Sequence, residues 1–92
     1  MSKSDIEEQL SEEVMFASMG QQVLNNEAYK QAIMTRKAHL FDVFCKTSKD
    51  QEDVREEAWR TMKNLEALEL YFEEVLITGK MAEQQLEQLR VN

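Results

Sequence analysis

Gln51 to Leu89 reads QEDVREEAWRTMKNLEALELYFEEVLITGKMAEQQLEQL, and its spacing decides the fold. Val54, Ala58, Thr61, Leu65, Leu68, Phe72, Val75, Gly79, Ala82, Leu86 and Leu89 follow one another in alternating steps of four and three. That is an unbroken heptad seam, the pattern that packs helices side by side. The residues between are mostly Glu, Gln, Lys, Arg, Asn and Asp, apart from an apolar widening between Glu69 and Ile77. One face of the helix seeks a partner and the other seeks water. Gly79 admits two readings: a C-terminal cap after Ile77, or a small seam residue that lets a facing helix come close. The repeat continues through it to Leu89, so we read a continuous or slightly kinked helix.

The rest of the chain is helical as well. It has 92 residues with no proline and two glycines, and no β-branched run alternates with polar residues. This composition favours helix and gives a sheet no source. Ser4 and Glu7 form a capping box at the start of a first helix. Ile6, Leu10, Val14, Ala17 and Leu24 recur along it at helical spacing, with Met15, Phe16, Met19 and Val23 widening the stripe. Ser11 offers a second start. Asn25-Asn26 combines a stop with a restart, because asparagine both ends and caps helices. Tyr29, Ile33, Leu40, Phe41 and Phe44 then form the apolar face of a second helix, beside Ala28, Ala32 and Val43. Thr47 to Asp50 is a polar turn, with Ser48 or Asp50 as the cap of the third helix. The spacing predicts helices over 5–24, 27–46 and 51–89 in a single domain over 1–92. The fold class is all-α: an antiparallel helical hairpin with a long C-terminal helix and an additional N-terminal helix.

Helix lengths set a register. At 1.5 Å per residue the third helix spans about 58 Å and the second about 30 Å, so the second covers only half of the seam. Antiparallel pairing around the turn makes facing residue numbers sum to about 98, which places Leu40 near Ala58 and Ile33 near Leu65. Continued through the asparagine pair, the same rule sets Ala17 near Gly79 and Leu10 near Leu86. Either the first helix lines the distal half of the seam or another subunit does. An uncovered half would demand self-association.

Charge and chemistry narrow the function classes. The net charge is −7, but it is segregated. Met1 to Glu27 holds one base and six acids, Ala28 to Lys49 five bases and one acid, and the remainder five bases and eleven acids. A sequence pI near 4.7 and the lack of interleaved arginines and aromatics argue against nucleic acid as a partner, and no segment approaches a membrane span. The N-terminus has no apolar signal core, and Cys45, the sole cysteine, has no disulfide partner within the chain. Both fit a cytosolic, reducing setting. Cys45 reads as core or near-core packing, and His39 as a partly buried core-edge residue. They lie six apart on one helix, nearly opposite in phase, and make no nucleophile and base pair. Arg36 and Lys37 lay their stems over the core. The acids from Asp50 to Glu57 lack the glycine and spacing of a calcium loop, and Glu69 and Glu73 have no Glu-x-x-His companion. No catalytic, metal or cofactor-binding residue is assigned, and no enzyme is expected.

An interface is expected instead. Trp59 and Met62 lie one position off the seam, and Tyr71 and Leu76 flank it further along. They widen the core or anchor a partner, and both readings stay open. With Leu65, Phe72, Gly79, Ala82 and Leu86 they form the candidate interface.

Gly20 to Leu89 resembles a group of small helical proteins encoded by tailed bacteriophages and prophages near virion-structural genes. The resemblance is carried by Val23-Leu24-Asn25-Asn26, by Asp53-Val54-Arg55-Glu56-Glu57-Ala58-Trp59, and by Thr78-Gly79-Lys80-Met81-Ala82 followed by Leu86. The group has no assigned activity, so no catalytic residue carries over. The resemblance implies a helical protein of the host cytoplasm or the virion, connected with particle assembly. The expected function is a minor virion or assembly component that acts through protein–protein contacts, with itself as a homo-oligomer or with phage structural proteins. The alternative is an acidic phage inhibitor of a host protein, and a nucleic-acid packaging accessory ranks third.

Overall fold

The structure, a computed structural model, describes residues 2–91 and is all-α. Helix α1 covers Lys3–Asn25, α2 Glu27–Lys46 and α3 Glu52–Val91. Every end lies within two residues of its expected place, and α3 runs through Gly79 without a break.

The caps differ in detail from the expected ones. The box at the start of α1 uses Ser2 and Asp5, not Ser4 and Glu7. The Asp5 N–H donates to Ser2 Oγ at 3.1 Å, and the Ser2 N–H donates to Asp5 Oδ2 at 3.4 Å. Starting two residues earlier gains backbone hydrogen bonds, beginning with Ile6 N–H to the Ser2 carbonyl, and Asp5 does for the box what Glu7 was expected to do. Ser11 starts nothing, since α1 is continuous through it. At the asparagine pair, Asn26 caps α2 in extended conformation, its side chain accepting from the Tyr29 N–H at 2.9 Å. Asn25 finishes α1, and among the described residues no non-glycine residue has a positive φ, so the left-handed stop is not used.

The turn before α3 is closed by Gln51 and Arg55 and not by a Ser48 or Asp50 cap. Gln51 Oε1 accepts from the Ser48 N–H at 3.0 Å and from its hydroxyl at 3.3 Å. The Arg55 guanidinium donates to the Ser48 carbonyl at 3.0 Å and to Thr47 Oγ1 at 3.2 Å. One side chain reaching back from the first turn of α3 thereby fixes the exit of α2.

Two compact units share α3. The first pairs α1 with α3 from Tyr71 onward. Its core is Leu10, Ala82 and Leu86, with Val14 and Leu89 packed against it. Ala17 lies against Gly79 so closely that a Cβ built on the glycine would stand 2.1 Å from the alanine Cβ. Gly20 faces Phe72 and Val75. These pairs run two to six short of the expected sum of 98. The first helix therefore lines the distal half of the seam, and the demand for another subunit to cover that seam falls away.

The second unit pairs α2 with α3 up to Leu70. Leu40 and Ala58 are its buried hydrophobic residues. They share one side of the pair with Val43, Val54 and Thr61, in the expected register. Lys37 reaches across to an ion pair with Glu69.

Candidate protein interface

Both units bury little and leave much apolar surface outside. Five hydrophobic residues are buried among the described residues, whereas sixteen large ones are exposed. On α1, Met15, Phe16, Met19 and Val23 do not widen the core stripe. They point away from it, and Phe16 is 49% exposed. Phe16, Met19 and Val23 repeat in steps of three and four, so α1 carries a second apolar stripe beside the one that meets α3. On α2, Phe41 and Phe44 leave the expected core face, and Met34 is 70% and Phe41 62% exposed. Cys45 is exposed as well, as is His39, which corrects the core assignments made for both. The reason is the same in each case: within its own unit a two-helix pair covers only one sector of each helix.

The first unit has a groove along one side. At one end Ile6, Leu10, Met81 and Gln85 line it, enclosing about 350 Å³. At the other, Phe16, Tyr71 and Val75 line a stretch of about 270 Å³. Glu13 and Thr78 line both stretches, which makes them one groove. From Ile6 to Phe16 it follows α1 for about 15 Å. Glu13 and Glu74 stand along it. Gln9 donates to Glu13 at 3.5 Å, and neither acid is among the ion pairs of the described residues. This unit holds three bases and nine acids, so an incoming apolar surface meets negative potential there.

The second unit differs. α2 carries Lys30, Arg36, Lys37 and Lys46 against Glu27 and Asp42. Lys30 pairs with Glu27 at 3.5 Å and Lys46 with Asp42 at 3.1 Å. These are exposed pairs that exchange partners at little cost. Lys37 titrates above the usual lysine value, first because Glu69 accepts its hydrogen bond, which outweighs the lowering from burial that comes next in size; the negative charges of Glu69 and Glu66 add to the rise. On α3, Trp59 is 54% exposed, and the Lys63 ammonium lies 5.7 Å from its ring centroid.

The nine expected interface residues fall into three sets. Gly79, Ala82 and Leu86 are buried beneath α1 of the same chain. Met62, Leu65, Phe72 and Leu76 are half-buried along the two pairs. Trp59 and Tyr71 are outward, Trp59 on the α2 unit and Tyr71 in the groove of the α1 unit. Sequence reasoning missed Phe16, Met34 and Phe41. The available signal was that α1 and α2 are apolar over more than one sector.

One depression, about 800 Å³, is lined by α2 residues alone, among them Ala28, Ala32, Thr35 and His39, and one helix wall does not enclose a small molecule. Among the described residues no group of three or more His, Cys, Asp or Glu is placed to hold a metal ion, and no helix is long and apolar enough to cross a membrane. Compared with protein-family models, with curated proteins and with solved structures, the chain matches none of them.

Proposed function

We propose that this chain is a non-enzymatic docking protein of a tailed bacteriophage, a minor virion or particle-assembly component that acts by presenting apolar helix faces to other proteins. The observation that carries the reading is the excess of exposed large hydrophobics over buried ones. Apolar patches of that extent on a small chain mark surfaces that another protein covers. Trp59, Tyr71, Phe16 and Phe41 are the anchors, since large aromatics in the centre of a contact supply most of its energy. The phage context rests on the resemblance of Gly20 to Leu89. Host cytoplasm during assembly, and then the particle, are the proposed locations.

The test is co-sedimentation of the tagged chain with assembling and mature particles from infected cells. Wild type sediments with particles, and Trp59→Asp with Phe16→Asp does not. Absence of the wild-type chain from both particle classes overturns the assignment.

A second reading draws on the acidity of the α1 unit. An acidic face beside exposed aromatics also suits an inhibitor that occupies a basic surface of a host protein. Stoichiometric retention of one host enzyme, abolished by Glu13→Lys with Glu74→Lys and unaccompanied by particle association, favours that reading over assembly.

A further inference from the structure

We infer that the groove of the α1 unit receives α2 of a second copy of this chain, along the stripe formed by Met34, Phe41 and Cys45. This deepens the docking reading and rests on it.

Area gives the first argument. A folded monomer of 10.8 kDa exposes about 5,500 Å², whereas this chain exposes 7223 Å². The excess is about 1,700 Å² per chain, or about 3,400 Å² for two, which lies within the range buried by obligate homodimers.

Fit and charge give the second. The groove runs about 15 Å along α1, and Met34 to Cys45 spans about 16 Å of α2, so the stripe fills the groove from end to end. The groove presents Phe16, Tyr71, Ile6 and Met81 as its exposed apolar walls. It is lined by Glu13 and Glu74 in a unit with six more acids than bases, while α2 has two more bases than acids. Lys30 stands one turn before Met34, its existing partner Glu27 being a neighbour on the same helix. Groove against groove would set acids against acids, and stripe against stripe would leave the groove empty. Groove against stripe matches charge and covers both.

Such a contact joins two different surfaces, so each copy carries one half of it. That property makes it testable by mixing. Phe41→Asp spoils the stripe and Tyr71→Asp spoils the groove, and both residues are exposed, so the helical content stays that of wild type by circular dichroism. Wild type is larger than a monomer by light scattering. Each variant alone is monomeric. An equimolar mixture forms a complex, because the Phe41→Asp chain keeps an intact groove and the Tyr71→Asp chain an intact stripe. A charge pair tests the same contact without touching apolar surface. Glu74→Lys or Lys30→Glu alone weakens self-association about fivefold, and the two together in one chain regain most of it. A wild-type monomer at every concentration, or a mixture that stays monomeric, overturns the pairing. If that monomer still sediments with particles through Phe16 and Trp59, the pairing fails and the docking reading stands.

Discussion

Gly79 and Gly20 are both buried in the α1 unit, yet a methyl group meets different surroundings at each. At Gly20 the nearest atoms to a new Cβ are side-chain carbons of Phe72 and Val75 at 3.6 Å, an ordinary contact. Gly20→Ala therefore gains the helix preference of alanine, about 0.5–1 kcal/mol, with no packing loss. At Gly79 the new carbon lands 2.1 Å from Ala17 Cβ, with the Glu13 carbonyl oxygen at 3.4 Å. Neither neighbour is the movable tip of a long side chain, so the helices must separate. Overpacking of this kind costs about 1–3 kcal/mol and outweighs the helix gain. Urea midpoints measured for both variants should move in opposite directions. Adding Ala17→Gly to Gly79→Ala should recover part of the loss beyond additivity, because the two positions share one contact. The heptad made this pairing legible: phase put Gly79 in the seam, and the sum rule set Ala17 opposite. Phase did not reveal that Phe16, next to Ala17 in the chain, faces outward. A helical wheel gives the sector a side chain occupies, and only the neighbouring elements decide whether that sector is covered.

At the scale of the helix, boundaries were easier to read than the residues that make them. Stops and starts follow from where apolar periodicity lapses, which is a property of many residues. A cap is a property of one, and Ser, Thr, Asp and Asn clustered at each end offered several frames of similar energy. Only Asn26 was named in the frame it occupies. Asn26→Ala removes the acceptor for the Tyr29 N–H and should cost about 1 kcal/mol. Asn25→Ala removes only a surface bond from Gln21 at 3.1 Å and should cost a few tenths. Chemical denaturation of the pair separates cap from spacer.

The Lys37–Glu69 bridge joins α2 to α3 in the second unit. Its side chains are 36% and 35% exposed, so solvent screening holds its worth below about 1 kcal/mol. The folded state raises the lysine's titration. Its contribution is therefore complete below the ordinary lysine value of 10.5 and is lost as pH climbs through the raised one. The stability gap between wild type and Lys37→Met should be constant through neutral pH and close only in the alkaline range. A gap that closes near neutrality would assign the bridge no such role.

Taken whole, the molecule distributes a thin core over two units, and this bears on how it unfolds. A chain of this length has a net stability of about 5–14 kcal/mol at most. Leu10, with Ala82 and Leu86, forms the core of one unit, and Leu40 with Ala58 holds the other. Truncating a buried leucine to alanine costs about 2–5 kcal/mol, a large part of what either cluster supplies. Leu10→Ala should therefore open α1 and the part of α3 after Tyr71, speeding amide exchange there while α2 amides keep their protection. Leu40→Ala should do the reverse. The heptad seam predicted one continuous α3 and does not distinguish one cooperative body from two, because a repeat of equal steps has no internal boundary. The boundary arises where the covering helix changes at Asn26, and Leu68, a seam residue on the part of α3 just before Tyr71, is exposed. Uniform acceleration along all three helices in either variant would mean that α3 couples the two clusters into a single folding unit. Local acceleration would make each cluster the sole anchor of its own helix pair.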